Sequence, residues 1–458
     1  MAISAFICNF AHMNAMEKII GKLGITLNEM QKTAYETIAE GQGDVVVLSP
    51  TGSGKTLAYL LPLAECLDAG SDDVQALVIV PGRELALQSD VVLKRMGSGL
   101  RSMSCYGGRP TMDEHRQLRQ VRPQIVFGTP GRLNDHLQKG NISPYQVRWL
   151  IIDEFDKCLE MGFQNEMERL LRSLPGLQRR VLLSATDAEA IPSFVRMQHA
   201  QRLDFLADGQ PTDERITMYE VRSPQKDKLD TLRQLLLTLG DASSIVFLNY
   251  RDSVERVNHY LSEQGFVTSY FHGGLDQKAR EAALYRFSNG SANVLVSTDL
   301  ASRGLDIPDV AHIIHYHLPE SPEGYFHRVG RTARWNATGN TYFILGPDES
   351  SSVLPDQMAG TATLCNPFPL DGQVDVPVPL PRMATIYIGK GKKDKISRGD
   401  IVGFLCKQGH LTSDEIGRID VHERYSYVAV KRERVRELLR HVAGEKIKGI
   451  RTVIEEVH

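Results

Sequence analysis

The sequence lacks the cysteine patterns that bind zinc or build a disulfide framework. Its six cysteines are scattered, no two of them form a Cys-x-x-Cys pair, and no tract is rich in histidine. No stretch approaches the roughly 18 apolar residues that a membrane-spanning helix needs, and the first residues carry no Lys or Arg of the kind that opens a secretory signal. We therefore expect reduced thiols, no structural metal, no membrane span and a cytoplasmic location.

The apolar content is ordinary, but the charge is unevenly distributed. Hydrophobic residues make up 42% and charged residues 24% of the 458 residues, which is enough to order several cores, and this length predicts about three domains. The net charge is −3, yet residues 383–458 hold 16 Lys and Arg against 11 Asp and Glu. A basic C-terminal module is therefore expected to follow an acidic body.

Short apolar strand patterns alternate with helical patterns up to residue 345. Unbroken runs of Val, Ile and Leu are typical of parallel strands buried on both faces, and the ligands of such sheets lie at the carboxyl ends of the strands. The polar segment 207–213 divides the strands into two series and is predicted to be an interdomain linker. The predicted strands are 45–48, 76–80, 124–127, 149–152 and 181–183, then 244–248, 267–271, 293–296, 312–316 and 341–345.

A glycine-rich loop follows the first predicted strand. Residues 49–56 read Ser-Pro-Thr-Gly-Ser-Gly-Lys-Thr and lead into a helical pattern. Glycines let backbone N–H groups surround phosphate oxygens, Lys55 can reach the β and γ phosphates, and Thr56 can hold Mg²⁺. The alternative is a loop that only caps a helix, and Ser49 stands where the general pattern has Gly. The predicted nucleotide-binding residues of this loop are Thr51, Gly52, Ser53, Gly54, Lys55 and Thr56.

Two carboxylates stand together at the end of the predicted strand 149–152. A nucleotide site with Mg²⁺ needs such a pair, with Asp153 holding the metal through its waters and Glu154 orienting or deprotonating the attacking water. A strand that ends in a solvated acidic turn is the alternative. The position of the pair downstream of a phosphate-binding loop favours the nucleotide site.

Further short motifs stand in a fixed order between about residues 25 and 345. Residues 153–156 read Asp-Glu-Phe-Asp, and the others are Pro-Gly-Arg-Glu-Leu at 81–85, Gly-Gly at 107–108, Thr-Pro-Gly-Arg at 129–132, Ser-Ala-Thr at 184–186, His-Gly at 272–273, Ser-Thr-Asp at 297–299, Arg-Gly-Leu-Asp at 303–306 and His-Arg-Val-Gly-Arg-Thr-Ala-Arg at 327–334. Each motif alone is weak. Together they resemble the DEAD-box ATP-dependent RNA helicases of superfamily 2.

The resemblance implies an α/β fold with two tandem recA-like parallel-sheet lobes and a C-terminal α+β RRM-like domain. The first lobe would bind ATP, and prolines at 367, 369, 377, 379 and 381 predict a stiff, extended connector before the last domain. The expected divisions are 1–207 for lobe 1, 208–348 for lobe 2, 349–382 for the Pro-rich linker and 383–458 for the RRM-like domain.

The resemblance also implies which residues act on ATP. The segment 184–186 resembles the part that couples hydrolysis to lobe 2, and Arg331 and Arg334 resemble arginine fingers, which neutralise charge on the transferred phosphoryl group. Asp306 resembles the ribose contact. Gln31 resembles the glutamine that reads the adenine edge, or else is an exposed helix residue. The implied catalytic residues are Lys55, Asp153, Glu154, Ser184, Thr186, Arg331 and Arg334.

RNA contacts are implied for loops at the strand ends of both lobes. Small residues permit close approach of the RNA backbone, and Arg and Thr donate to phosphates, so these contacts hold one strand without reading its sequence. Any single Gly-Gly pair has an ordinary turn as its alternative. The implied contacts are Arg83, Gly107, Gly108, Thr129, Arg132, His272, Gly273, Thr298 and Asp299.

The pattern of residues 383–458 predicts the β-α-β-β-α-β order of an RRM. Tyr387 lies in its first strand, and Tyr425 and Tyr427 share one face of a later strand, as platforms that stack on RNA bases must. Alternatively these tyrosines pack under a loop or a partner protein. The predicted strands are 384–388, 416–420, 425–430 and 450–455, with helices near 399–407 and 433–443.

Basic residues of this domain are predicted to contact RNA phosphates, although such charges are often only solvated. They are Lys392, Lys393, Lys446 and Lys448. The module and its place after the motor resemble the DbpA group of bacterial helicases. The resemblance implies that the tail recognises a hairpin of large-subunit ribosomal RNA and that the motor remodels ribosomal RNA during subunit assembly.

Three positions depart from the family pattern. Phe155 replaces Ala, Gly82 replaces Thr, and Ala333 stands where many members have Gly. None of them removes a metal ligand, a base, a phosphate donor or a finger, so we expect activity. Two alternative functions remain open at this point: a DNA-directed superfamily 2 helicase, and a non-hydrolysing RNA-binding clamp or chaperone, which Phe155 suggests.

Overall fold

The described residues form two compact units, each with its own parallel sheet. The computed structural model describes residues 16–41, 43–50, 52–108, 111–187, 191–206, 216–302, 310–332, 339–350, 366–368, 370 and 376–457. The first unit contains the described residues up to 206, and the second contains those from 216 onward, Arg303 to Asp306 being outside the described set. The predicted linker 207–213 also lies outside the described residues. No described helix is long and apolar enough to cross a membrane.

The sheet of the first unit is buried on both faces. Its strands are β1 (Val45–Leu48), β2 (Ala76–Ile79), β3 (Ser102–Cys105), β4 (Ile125–Gly128), β5 (Trp149–Ile152), β6 (Arg179–Ser184) and β7 (Gln201–Asp204). They run parallel in the order β3-β4-β2-β5-β6-β1-β7. Along β1, Val45 and Val47 pack into one apolar cluster, whereas Val46 and Leu48 pack into another. A strand covered in this way needs apolar residues at every position.

Helices connect these strands and cover the sheet. They are α1 (16–23), α2 (Glu29–Glu40), α3 (Lys55–Cys66), α4 (Arg83–Met96), α5 (Thr111–Val121), α6 (Pro130–Gln138), α7 (Phe155–Glu160) and α8 (Gln164–Arg172). A capping box between Asn28 and Gln31 begins α2. Pro130 begins α6, where a missing N–H costs nothing, and Gly97 ends α4 with a left-handed φ of 64°.

The second unit contains a similar sheet. Its strands are β8 (Ile216–Arg222), β9 (Ser244–Phe247), β10 (Thr268–Phe271), β11 (Val294–Ser297), β12 (His312–His315), β13 (Gly339–Leu345) and β14 (Asn366–Pro367), and its helices are α9 (Leu229–Leu239), α10 (Arg251–Glu263), α11 (Gln277–Ser288) and α12 (Pro322–Val329). The strands run parallel in the order β10-β11-β9-β12-β13-β8-β14. Both sheets are thus of the recA-like parallel kind, and the predicted fold class is confirmed.

The described part of the Pro-rich connector packs against this second sheet. Strand β14 pairs with β8, and the Phe368 ring lies edge-on to Tyr219 at 5.4 Å and to Tyr342 at 5.3 Å between ring centroids. Leu370 and Val378 join the same apolar cluster. The segment was predicted to be a connector rather than core, and this is wrong for Phe368, Leu370 and Val378, because their side chains pack against the apolar cluster of the second sheet.

The C-terminal domain has the predicted RRM-like fold. Its elements are β15 (Met383–Ile388), α13 (Arg398–Lys407), β16 (Ile416–Val421), β17 (Ser426–Lys431), α14 (Val435–His441), β18 (Lys446–Ile447), β19 (Ile450–Arg451) and β20 (Ile454–Glu456). Four strands form an antiparallel sheet in the order β16-β17-β15-β20. The predicted single strand 450–455 is wrong, because β19 pairs with β18 in a separate hairpin and only β20 pairs with β15.

Besides β14, three strands of the lobes have no counterpart among the predicted ones. Strand β3 reads Ser-Met-Ser-Cys and lacks the branched apolar residues that mark a strand, although all four positions are buried. Strand β7 lies at the sheet edge and is largely exposed. Strand β8 alternates buried and exposed positions over part of its length, unlike the continuous pattern of its neighbours. Only pairing with the other strands makes these segments part of a sheet.

We expect Phe368→Ala to destabilise the second unit by about 1–2 kcal/mol, because two edge-to-face ring contacts and part of an apolar cluster are lost. Thermal unfolding followed by fluorescence or circular dichroism measures the change. The matched control is Leu380→Ala in the same connector, where the side chain is 55% exposed and truncation should have little effect. Equal melting temperatures for the two variants would contradict the anchoring of this segment.

Candidate functional site

The glycine-rich loop joins β1 to α3 and needs glycine at its last position. Gly54 has a φ of 87°, and a Cβ built on it would lie 2.3 Å from Nε2 of Gln31. Lys55 begins α3, is buried, and donates from Nζ to the carbonyl oxygens of Ser49 and Pro50, the latter at 2.8 Å. Thr51 lies outside the described residues. The loop therefore folds tightly around an ammonium group at the carboxyl end of β1.

The N-terminus of α2 is bound to this loop. Asn28 Nδ2 donates to the carbonyl oxygen of Ser53 at 2.9 Å, and Gln31 Nε2 donates to that of Gly54 at 3.2 Å. Gln31 is only 1% exposed, so the alternative that it is an exposed helix residue is wrong. The capping box that begins α2 thus also fixes a glutamine amide against the loop.

Asp153 and Glu154 stand at the end of β5 and are both buried. Glu154 adopts a left-handed φ of 50°, a conformation that costs a non-glycine residue free energy and is often kept at functional sites. Burial raises the pKa of Asp153 to about 6, and the charge of Lys55 opposes the shift. The buried Tyr59 hydroxyl donates to Oγ of Ser89 at 3.3 Å. A buried carboxylate and a buried ammonium group therefore interact at the strand ends of the first sheet.

The departure at Phe155 is accommodated by packing. Its ring is 2% exposed and lies in the apolar cluster that includes Ile152 and Leu182. The next residue, Asp156, accepts from the backbone N–H of Ala185 at 3.2 Å and from Oγ1 of Thr186 at 3.0 Å. Asp156 therefore connects the end of β5 to the loop after β6, and the Phe155 ring stays in the core.

The first unit also brings its predicted RNA-contact loops together. The turn 107–108 follows β3, and a Cβ on its second glycine would lie 3.1 Å from Nη1 of Arg83 at the start of α4. Thr129 precedes α6 and donates its N–H to the carbonyl oxygen of Cys105 at 3.3 Å. Arg132 donates from Nη1 to Oγ1 of Thr111 at 2.8 Å. These residues lie at the carboxyl ends of three neighbouring strands, β2, β3 and β4.

In the second unit a buried arginine organises the corresponding strand ends. Arg328 on α12 donates to both carboxylate oxygens of Asp299, at 2.5 and 3.1 Å, and to Oδ1 of Asn249 at 2.8 Å. Its side chain is fully buried and lies over the Phe247 ring. Asp299 was predicted to contact RNA, and the structure places its carboxylate in an ion pair. Arg328 was missed as a site residue, although it lies within the arginine-rich motif 327–334.

The remaining predicted residues of the second unit lie near this network or outside the described set. His272 is buried at the end of β10, with Nε2 3.1 Å from Glu255. Gly273 lies close to Arg251, and Thr298 precedes Asp299 after β11. Arg331 is buried just beyond α12. Arg334 and Asp306 lie outside the described residues.

The tyrosine face of the C-terminal domain is covered by α11 of lobe 2. Tyr427 and Tyr285 stack with ring centroids 5.2 Å apart, and Tyr427 is only 2% exposed. Nζ of Lys278 lies 4.9 Å from the Tyr387 ring centroid, in a cation–π contact. The Tyr425 hydroxyl donates to the Glu281 carboxylate at 2.5 Å. The structure therefore places these tyrosines against a helix of the same chain, which is neither the open stacking platform nor the loop or partner protein of the alternative.

Polar contacts surround this aromatic interface. The Tyr285 hydroxyl donates to the carbonyl oxygen of Arg418 at 2.5 Å, and Asn289 Nδ2 donates to Oγ1 of Thr385 at 3.0 Å. Arg432 donates to the carbonyl oxygen of Ser291 at 3.0 Å. Burial raises the pKa of Tyr427 to about 12. Lobe 2 and the C-terminal domain are consequently packed into one compact unit.

The lysines predicted to bind phosphate lie elsewhere on the domain. Lys392 and Lys393 form a short exposed turn after β15. Lys448, in the β18–β19 hairpin, donates from Nζ to the carbonyl oxygen of Lys395 at 2.9 Å and to Asp400 at 3.1 Å. The turn, the hairpin and the start of α13 are thereby held side by side, and the N–H groups of Lys392 and Lys393 donate to the carbonyl oxygens of His422 and Glu423, in the loop that leads to Tyr425.

Comparisons with known proteins agree with this geometry. The chain matches the DEAD/DEAH box helicase family over residues 28–192, the helicase conserved C-terminal domain over 227–336 and the DbpA RNA binding domain over 385–456. The ATP-dependent RNA helicase DbpA of Escherichia coli (strain K12) is 35% identical over 436 residues, covering 94% of each chain. This chain belongs to the DEAD-box RNA helicases. It is of the DbpA type and is an ATP-dependent, RNA-stimulated enzyme.

Further relatives of this DEAD-box helicase support the same placement. DbpA of Bacillus subtilis (strain 168) is 29% identical over 431 residues, covering 89% of this chain and 90% of the relative. The solved structure of S. cerevisiae Dbp5 bound to RNA and ADP BeF3 aligns with a TM-score of 0.70 at 25% identity, over 78% of this chain and 94% of that one. The family match favours an RNA helicase over the DNA-directed enzyme and the non-hydrolysing clamp.

We expect Tyr285→Ala to loosen the C-terminal domain of this helicase from lobe 2. The variant removes the ring that covers Tyr427, and a stacked pair contributes about 0.5–1.5 kcal/mol beyond its buried area. Amide hydrogen exchange should therefore be about tenfold faster in β16, in β17 and in α11. Tyr145→Ala, at a tyrosine that is 74% exposed, is the matched control. Unchanged protection in the Tyr285 variant would show that the stack does not hold the domain.

Proposed function

We propose that ATP binds with Mg²⁺ where the loop after β1 lies beside the end of β5. The observation that carries this is the interaction between the charges of Lys55 and Asp153, both of them buried. The left-handed φ of Gly54 turns the loop into the N-terminus of α3, whose backbone N–H donors form a cradle that fits a phosphate group. Thr56 and Asp153 offer the hard oxygen ligands that Mg²⁺ prefers.

Each residue of this pocket has a proposed role in hydrolysis. Lys55 holds the β and γ phosphates, and Gln31 presents its amide to the adenine edge. Glu154 orients or deprotonates the attacking water, and the left-handed backbone at this residue sets the direction of its carboxylate. Bound Mg²⁺ would neutralise developing phosphate charge. Thr51 to Ser53 complete the proposed cradle, and Asp306 is the proposed ribose contact.

Ser184 and Thr186 are proposed to couple hydrolysis to lobe 2. Asp156 supports this, because it binds Thr186 directly while standing three residues after the proposed metal ligand Asp153. The Ser184 hydroxyl donates to the carbonyl oxygen of Thr186 at 2.7 Å, which shapes the turn. Arg331 and Arg334 remain the proposed arginine fingers.

We propose that one RNA strand is held by its sugar-phosphate backbone at the strand ends of both lobes. The clustering of the first-unit loops at three adjacent strand ends supports this, because guanidinium and N–H donors there face the same edge of the sheet. The proposed contacts are Arg83, Gly107, Gly108, Thr129 and Arg132 in lobe 1 and His272, Gly273, Thr298 and Asp299 in lobe 2.

We propose large-subunit ribosomal RNA as the target and ribosome assembly as the process. The match of the C-terminal domain to the DbpA RNA binding domain supports the choice, and the adjacent turn and hairpin provide a basic surface for it. Lys392, Lys393, Lys446 and Lys448 would contact phosphates there. Tyr387, Tyr425 and Tyr427 would contribute indirectly, by holding the domain on lobe 2. A ribosomal target also agrees with the cytoplasmic location expected from the sequence.

We expect Lys55→Ala to lower ATP turnover at least about 100-fold, because the grip on the β and γ phosphates is lost. Glu154→Gln should keep nucleotide binding and stop hydrolysis, since the carboxylate base is replaced by an amide of the same shape. Phosphate release and fluorescent-nucleotide titration measure the two effects. Normal turnover in either variant would refute the proposed site.

The RNA target is tested by comparing RNAs as ATPase activators. Ribosomal RNA should stimulate the intact chain at much lower concentrations than unrelated RNA, and deletion of residues 383–458 should remove the difference. Paired substitution of Lys392 and Lys393 by Ala should raise the half-saturating concentration of ribosomal RNA about tenfold and lower its salt dependence. Lys407→Ala, an exposed lysine of the same domain, is the control. Equal stimulation in every case would exclude the ribosomal target but keep the helicase.

A further inference from the structure

A buried carboxylate joins two of the proposed RNA-contact loops of lobe 1. Glu114 lies on α5, is 2% exposed, and belongs to none of the short motifs of the sequence. Its Oε1 accepts the backbone N–H of Tyr106 at 3.2 Å, directly before the turn 107–108. Its Oε2 lies 3.4 Å from Nη1 of Arg132 and 3.0 Å from Nε2 of His136, both on α6.

Through these contacts the Glu114 side chain holds both the turn 107–108 and the start of α6. The N–H of Tyr106 is a backbone donor at the end of β3, where the parallel ladder stops, and Glu114 satisfies it. The guanidinium of Arg132 is fixed by Glu114 and Thr111 together. An arginine held in this way loses less conformational freedom when it binds a phosphate. A single side chain of α5 thus contacts the segments that follow β3 and β4.

A metal site is the alternative organisation of this cluster, since Cys105, Glu114 and His136 place their ligand atoms within 4.8 Å of one another. The contacts favour a different organisation. Both oxygens of Glu114 already accept hydrogen bonds or an ion pair, and the positive charge of Arg132 occupies the space beside Oε2. The cluster is therefore centred on the carboxylate.

We propose that Glu114 is a positioning residue for RNA binding, which orients Arg132 and the turn 107–108 toward one stretch of RNA backbone. The inference rests on the proposed RNA contacts of lobe 1. It adds a residue that touches neither RNA nor nucleotide but sets the affinity for RNA through the two loops it joins.

The test is a cycle of Glu114→Gln, Arg132→Ala and the double variant in the full-length chain. The amide keeps the size of the side chain and can still accept from Tyr106, but it cannot form the ion pair with Arg132. We expect Glu114→Gln to raise the half-saturating concentration of RNA in the ATPase assay about three- to tenfold, while KM for ATP stays unchanged. The double variant should be no weaker than Arg132→Ala alone, because both act through the same guanidinium.

The control is Glu168→Gln, which removes a similar carboxylate–guanidinium pair, with Arg172, from the exposed surface of α8 and should leave both constants unchanged. A purely structural role for Glu114 would lower the melting temperature without moving the half-saturating RNA concentration, and that result would overturn the inference. Additive effects in the double variant would also overturn it. Wild-type RNA affinity in Arg132→Ala would instead overturn the proposed RNA site, and this inference with it.

Discussion

Strands buried on both faces favour apolar side chains, so the proposed site residues lie where the strands end, and this constraint organises both lobes. The sheet interior admits Val, Ile and Leu at nearly every position, because an unpaired polar group there would cost several kcal/mol. Lys55 follows β1, Asp153 follows β5 and Arg132 follows β4. Parallel strands finish at the same edge, so residues distant in sequence meet there. The proposed nucleotide site and the proposed RNA-contact loops of lobe 1 are two parts of one such edge.

Buried charges at these edges are held by side chains that join separate loops. Arg328 is fully buried and binds Asp299 and Asn249, which follow two different strands. Glu114 does the same in lobe 1 for the loops after β3 and β4. A buried charge is tolerated when its hydrogen bonds are satisfied, and each of these side chains satisfies groups from more than one loop. The motif residues are therefore positioned by a supporting set of ionic contacts.

The tyrosine face of the C-terminal domain is used for packing within the protein. A sheet face with three tyrosines is typical of RNA stacking in an isolated RRM. Here the face is occupied by Tyr285 and its neighbours on α11, which leaves Tyr427 buried. The basic turn, next to the Tyr425 end of that face, and the hairpin keep their lysines exposed. The domain thus packs on lobe 2 through its aromatic face and leaves these ammonium groups accessible.

The two parallel sheets, the RRM order and most residues of the proposed nucleotide site could be predicted from the sequence. These depend on local patterns: unbroken apolar runs, a Gly-rich loop before a helix, and an acidic pair after a strand. Tertiary structure decided the rest. The partners of Glu114 and Arg328, the sheet pairing of β3 and β8, the anchoring of Phe368 and the covering of Tyr427 all join residues far apart in the chain. Long-range contacts of this kind depend on how helices and strands pack against one another after they form. No local pattern of residue types specifies that packing.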